Sequence, residues 1–243
     1  MSVSRVKIAA GILLLAGLFV ACDEPRELQT DNRTVAAGGA KTAEIELRMG
    51  AGELRLAGAN QDALLEATFR YNRARLKPEV DYQVSGTTGI LRIGRHGRSG
   101  ISFGRTRNEW DLRLNKAIPL DLKVNLGAGQ SHLDLRGLEL SSLDIDTGVG
   151  EMKLDLRGPH PKGFRVKIDG GVGSGTLYLP ADVGVRVKVD GGIGSVNAHG
   201  LSKDHHVYTN DAYGKSSVTI DIEIDAGIGS LDLRVEPGEA IKL

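Results

Sequence analysis

The sequence predicts an all-β protein, a right-handed parallel β-helix-like solenoid with an irregular N-terminal β cap. One template recurs through the second half: Asn125-Leu126-Gly127-Ala128-Gly129, Asp146-Thr147-Gly148-Val149-Gly150, Asp169-Gly170-Gly171-Val172-Gly173, Asp190-Gly191-Gly192-Ile193-Gly194 and Asp225-Ala226-Gly227-Ile228-Gly229. The first four copies follow one another at 21 to 23 residues, a period typical of units that must stack because none can bury its own apolar face. Leu, Ile and Val alternate with charged residues on both sides of each copy. Aromatics make up only 4% of a chain that holds 33 glycines, which suits thin aliphatic layers.

Taken in order, residues 1–21 read as a signal peptide. Arg5 and Lys7 precede the apolar run Ile8 to Val20, 13 residues long, too short to span a bilayer as a helix. Leu18-Phe19-Val20-Ala21-Cys22 resembles a bacterial lipobox, which implies cleavage before Cys22 and acylation there. Asp23 resembles the retention signal that keeps some lipoproteins on the periplasmic face of the inner membrane. Cys22 is the only cysteine, so no disulfide supports the fold. Residues 22–41, polar with paired glycines, read as a flexible tether.

The N-terminal β module is expected over residues 42–118. Ile45, Leu47 and Met49 alternate with Glu44, Glu46 and Arg48, then Gly50-Ala51-Gly52 interrupts, then Leu54 and Leu56 resume: strand, turn, strand. Short strands follow over Leu64 to Asn72, Glu79 to Ser85, Gly89 to Ile93 and Trp110 to Leu114, with Trp110 in the core. The solenoid repeats are expected over 119–236, leaving 237–243 as a tail. Before each corner the inward pairs are Leu122/Val124, Leu143/Ile145, Val166/Ile168, Val187/Val189 and Ile222/Ile224; after it they are Leu133/Leu135, Leu154/Leu156, Leu177/Leu179 and Leu231/Leu233. Gly50, Gly52, Gly127, Gly129, Gly148, Gly150, Gly171, Gly173, Gly192, Gly194, Gly227 and Gly229 are the structural corners, where positive φ or close backbone approach leaves no room for a side chain.

Trp110-Asp111-Leu112-Arg113-Leu114-Asn115, Ile118-Pro119-Leu120-Asp121-Leu122, Gly127-Ala128-Gly129 and Asn210-Asp211-Ala212-Tyr213-Gly214-Lys215-Ser216 together resemble the bacterial toast-rack domain family of unknown function. The chain is more distantly similar to LiaF-like envelope-stress proteins and to adhesin head domains. The resemblance implies a repeated Gly-x-Gly β fold over residues 42 to 235 and carries no settled activity.

Three local features invite a functional reading. The column Asn125, Asp146, Asp169, Asp190 and Asp225 stacks carboxylates on successive rungs, about 4.8 Å apart, where like charges repel unless a lysine or cation intervenes. Aspartate before glycine is also an ordinary turn former, and no metal site is assigned. The stretch 92–107 carries five arginines, among them Arg95 and Arg98, and could meet anionic headgroups or acidic glycans. The 35-residue spacing before the last copy holds an insertion with Tyr208, Asp211 and Tyr213, a candidate binding surface folding over the C-terminal rung with Tyr213 buried against it.

Removal of residues 1–21 leaves 29 basic against 31 acidic residues, without the concentrated positive field that nucleic acid requires. No catalytic residue and no cofactor is assigned. The expected function is a lipid-anchored binding or scaffold module of the cell envelope, attached to the membrane and facing an envelope protein or glycan. A polysaccharide-active enzyme using carboxylates such as Asp134, Asp155 and Asp232, or an envelope-stress sensor working through a membrane partner, are the alternatives.

Overall fold

In a computed structural model, the structure describes residues 27–94, 106–192 and 194–237. The protein is all-β, a 14-stranded mixed and mostly parallel sheet, and among the described residues the only helical element is a single 3-10 turn at Ala74–Leu76. Five long strands dominate: β2 (Thr42–Ala59), β7 (Leu120–Asp134), β8 (Leu140–Asp155), β9 (Phe164–Leu179) and β14 (Thr219–Val235). Each passes through one Gly-x-Gly segment.

Chain length shows what those segments do. β7 has 15 residues, roughly 50 Å if straight. It pairs in parallel with β8 along its whole length, yet only residues 135–139 join them, a link of roughly 20 Å at full stretch. The strand must therefore double back at its corner, so that its end returns near the start of the next. Two half-sheets meet along a glycine spine.

The alternation changes phase at that spine. Leu122, Val124 and Leu126 are buried before the corner, and Ser131, Leu133 and Leu135 after it, so even positions face inward first and odd ones second. One extra residue re-aims the strand, as a bulge does. Every inward aliphatic expected on β7, β8, β9 and β14 is buried, each burial stabilising by roughly 1.5–3 kcal/mol.

Backbone proximity is what demands glycine at the spine. A Cβ at Gly171 would overlap the carbonyl oxygen of Gly148, and one at Gly127 that of Gly50. Gly129 has φ of 131° as well, a region that side chains avoid. Gly50 and Gly52 belong to this spine, because β2 pairs with β7 in register, Gly52 opposite Gly129.

The solenoid expectation thus holds at the level of an all-β, mostly parallel stack, with three corrections. First, residues 42–118 are not merely a cap: β2 is itself a rung of the stack, and the 118/119 boundary runs between two paired strands. What covers its far side is β5 (Thr88–Gly94), hairpinned with β4 (Glu79–Ser85), on one half, and β6 (Asn108–Asn115) with β3 (Ala63–Tyr71) on the other. Trp110 is buried there, edge-on to Phe69 at 5.5 Å between ring centres. Second, the expected tether is partly strand: β1 (Gln29–Ala36) pairs with β3. Its residues are mostly exposed, so the backbone ladder, which leaves no apolar period in the sequence, holds it.

Third, the rungs do not stack in chain order. β14 lies between β9 and the fourth copy, whose halves are β10 (Gly184–Gly191) and β11 (Gly194–His199). Gly194 therefore faces Gly229, and Gly229 faces Gly173. The reason lies in the side chains. β14 carries Ile220, Ile222, Ile224, Leu231 and Leu233, all buried and in need of cover on both sides. β11 offers only Val196 and Ala198 at the matching positions, so the richer strand takes the interior place.

Candidate functional site

The first half-sheet presents two outward columns whose charges interlock. One runs Glu46, Lys123, Asp144, Lys167, Glu223, Lys188; the next runs Arg48, Asn125, Asp146, Asp169, Asp225, Asp190. The first alternates sign at every strand, while the second brings four aspartates together. The lysines answer them: Lys167 Nζ donates to Asp169 at 2.7 Å, Lys188 lies 2.5 Å from Asp190, and Lys123 3.9 Å from Asp146. The hydrogen bond to Asp169, then its charge and those of Asp146 and Asp144, raise the Lys167 ammonium above its ordinary value. Asp190 does the same to Lys188. The carboxylate ladder is thereby screened by protein cations on a solvated face, and Asp225 stands between Asp169 and Asp190 where chain order would have put it last.

The second half-sheet ends in a motif that the repeat reading passed over. Leu-Asp-Leu-Arg occurs at 133–136, 154–157 and 231–234, and each time the arginine folds back onto the aspartate two residues before it. At the middle copy the pair is buried. Asp155 accepts from the Arg157 backbone N–H at 3.0 Å, from Nε at 2.9 Å and from Nη2 at 2.8 Å. Arg157 Nη1 reaches Glu236 at 3.0 Å and the Pro237 carbonyl at 3.3 Å, and the guanidinium lies 5.0 Å from the Tyr178 ring centre. Arg136 adds a second cation 3.3 Å from Asp155. Alternation with leucine makes Asp155 look like a solvated surface group, and it is fully buried instead. The recurring i, i+2 Asp–Arg spacing was the legible signal.

At the partly exposed copy the electrostatics leave a measurable mark. Burial pushes the Asp134 carboxyl up, but hydrogen bonds and charge from Arg136, its backbone N–H, and Lys116 more than offset this and hold it below the ordinary 3.8. A depressed folded value means stabilisation present above the unfolded value and lost as pH falls through the folded one. Asp134→Asn is therefore expected to flatten the fall of melting temperature with pH below about 4, which a series of thermal melts from pH 7 to 2 would reveal. A wild-type slope in the variant would contradict it.

The 203–213 insertion is built differently from expectation. Tyr208 is 4% exposed, on β13 (Val207–Thr209), which pairs with β10 and with β12 (Ser202–Asp204); Lys203 lies over its ring at 5.4 Å. It is a core residue covering β10, not a recognition residue. Tyr213, expected to be buried, is 41% exposed, because the turn at 211–216 leads outward, and Asp211 is exposed beside it. The insertion covers the edge of β10, not the last strand in sequence. Asn210 pins it: its carbonyl accepts from the Val185 N–H at 2.9 Å and its amide donates to the Pro180 and Val183 carbonyls at 3.1 and 2.8 Å. Arg95 and Arg98 lie outside the described residues. Of the flanking arginines, Arg92 sits 3.8 Å from Glu46 and Arg107 pairs with Glu109.

Two features mark the spine itself. The middle residues of the corners align across strands as Ala51, Ala128, Val149, Val172 and Ile228; of these, Val149 and Val172 lie side by side and are 58% and 49% exposed, two aliphatic tips on the outer ridge. Just inside it a cavity of about 120 Å³ is lined by Leu126, Met152, Ile168, Val189, Ile224 and Leu231. It exists because the inward positions on β9 are Gly170 and Gly175, where a Cβ would meet nothing closer than 3.8 and 3.4 Å.

A family model described as the N-terminal domain of toast_rack, DUF2154, matches residues 24–178. The chain belongs to that family. The match ends one residue before the close of β9, so the toast-rack model spans β1 to β9, while β14 and the fourth copy lie beyond it. The toast-rack chain is also similar over its length to a solved structure titled a putative cell adhesion protein from Clostridium sporogenes, at 33% identity and TM-score 0.81, covering 86% of this chain and 100% of that one. A putative adhesin from Bacteroides fragilis matches 86% of this chain and 97% of its own at 13% identity and TM-score 0.32, a level that carries no argument. No curated protein matches. Two of the residues that suggested the family are staples of the fold: the Trp110 indole donates at 3.1 Å to Asn108, whose amide donates in turn to the Ala51 carbonyl at 2.7 Å, and Asn115 bridges the Gln61 carbonyl and the Ala117 N–H.

Proposed function

We propose that the toast-rack chain is a non-catalytic binding module, a coiled β-solenoid held on the periplasmic face of the inner membrane through lipid on Cys22 and presenting its ridge and outward columns to an envelope protein or glycan. The observation that carries the reading is the ridge: Val149 and Val172 expose aliphatic tips in register on neighbouring strands, beside columns of charge that continue from strand to strand, a surface that suits an extended partner. The 33% identical relative bears the words cell adhesion in its title, which supports the same class. The carboxylates that the enzyme reading would use, Asp134, Asp155 and Asp232, each accept hydrogen bonds from the arginine two residues on, a pairing that closing the strand ends explains without catalysis.

Crosslinking in intact cells followed by capture of the full chain tests this reading. An envelope protein or glycan recovered with wild type and lost with Val149→Asp/Val172→Asp supports it; recovery that ignores the ridge contradicts it. The anchor is tested separately. Among the described residues no helix is long and apolar enough to cross a membrane, and two or three acyl chains hold a protein at about 0.8 kcal/mol per buried CH₂. Cys22→Ser is therefore expected to move the protein from the membrane to the soluble fraction; unchanged sedimentation with membranes would show another anchor.

A further inference from the structure

Each half-sheet has two edges, and four strands occupy them: β4 and β12 on the first half, β1 and β11 on the second. An open edge is a template for another strand, and proteins guard it with charge, proline, irregularity or brevity. Three of the four are guarded. β4 follows Pro78 and carries Glu79 and Asp81; β12 has three residues, two of them Lys203 and Asp204; β1 carries Asp31 and Arg33 and a register break at Val35/Ala36.

β11 has none of these devices. Its sequence, Gly194-Ser195-Val196-Asn197-Ala198-His199, holds no Lys, Arg, Asp, Glu or Pro, and among the described residues it pairs with β14 alone. The other half of the same rung is closed by β13 and Tyr208, whereas here, among the described residues, no strand lies beyond β11. Leu231 and Leu233 on β14 are 8% and 0% exposed, and Val196 beside them is 37% exposed. A terminal rung with a bare apolar cross-section calls for a cap.

We infer that β11 pairs with β11 of a second copy of this chain, antiparallel, across a two-fold axis through Asn197. The strand's own sequence argues for this occupant. A two-fold normal to the sheet keeps inward faces on one side, so an inward residue must meet an inward residue; centring on Asn197 sets Val196 against Ala198 of the other copy and Ser195 against His199, with no charged pair opposed. The large inward side chain meets the small one twice, and the two second half-sheets become one. Five residue pairs bury less than the roughly 1,000 Å² expected of a stable interface, so the dimer is concentration-dependent and gains when copies are confined to one surface.

The test uses the full chain in mild detergent with Cys22→Ser, so that any introduced thiol stands alone. Directly opposed residues have Cβ atoms about 4.5–5.5 Å apart, so Asn197→Cys is expected to form a disulfide-linked dimer on mild oxidation at least about tenfold faster than Asn60→Cys at the far end of the stack, the gain expected of a pre-associated pair. Sedimentation equilibrium is expected to show reversible dimerisation that Val196→Lys abolishes, with a melting temperature confirming that the variant folds. Equal crosslinking at positions 197 and 60, a monomer at every concentration, or a dimer indifferent to Val196→Lys would each overturn the inference. Deletion of residues 238–243 separates another occupant: a chain that is monomeric with them and dimerises only without them identifies its own terminus as the strand on β11, and overturns the inference too.

Discussion

Asp155→Ala is expected to lower stability by roughly 3–5 kcal/mol, the cost of leaving one partner of a buried ion pair uncompensated. At about 2–4 °C per kcal/mol for a chain of this size, the melting temperature falls by on the order of 10 °C. Asp155 is fully buried and takes three hydrogen bonds from Arg157, which in turn ties β8 to Glu236 and Pro237 beyond the end of β14. Removal takes from the Arg157 guanidinium its one buried counter-ion, leaving the half-exposed Glu236 as its remaining carboxylate, and loosens the closing segment with it. Asp232→Ala removes the same local motif where Arg234 is nearly half exposed, and exposed pairs contribute about 0–1 kcal/mol. Equal losses from the two substitutions would show that burial at Asp155 does not set the cost. A cycle with Arg157→Met isolates the pair: the double variant is expected to recover part of the single loss, since an apolar replacement of both partners strands no charge.

Opposite outcomes are expected from two glycines three residues apart on β9. Gly173 has φ of 155°, and a Cβ there would overlap the carbonyl oxygen of Gly150 on the neighbouring strand. Relief would require one parallel strand to move from the next, at the point where six strands are in register. Gly173→Ala is expected to destabilise by roughly 2–5 kcal/mol, combining backbone strain with overpacking. Gly170 faces the cavity with no atom nearer than 3.8 Å to an added Cβ, so Gly170→Ala is expected to be neutral or to stabilise by about 0.4–1 kcal/mol through the unfolded chain. Thermal and denaturant melts of both variants decide. Similar losses at both positions would mean that the spine tolerates no side chain on either face, and that the cavity is not free space.

Much of the fold was legible because its signals are local. Period-two alternation identified the inward residues before and after each corner, and paired glycines located the corners themselves. Expected strands at Leu64 to Asn72 and Glu79 to Ser85 fall on β3 and β4 to within a residue. Local signals do not name neighbours, however. An alternating strand states which face it buries and is silent on which strands lie beside it, so the fourth and fifth copies were placed in chain order although β14 sits inside β10 and β11. The contrast of Leu231 and Leu233 with Val196 and Ala198 was the trace of that arrangement.

The candidate surface divides along the same line. The charge columns follow from register, and register follows from the glycine template, so sequence was enough to bring Asp146 and Asp169 side by side. Tyr208 and Tyr213 were indistinguishable as two tyrosines in a polar insertion; only the packing of β13 against β10 buries one and leaves the other in water. Asp155, one of three identical Leu-Asp-Leu-Arg aspartates, is buried because Tyr178 and Glu236 close over its arginine. Sequence by itself determined the strands, their corners and the face each side chain takes, since those depend on residues within a few positions of one another. The tertiary structure alone decided the order of the rungs, the strand made of residues 29–36, the burial of Asp155 and Tyr208, and the uncovered edge of β11, since each depends on what a distant segment brings alongside.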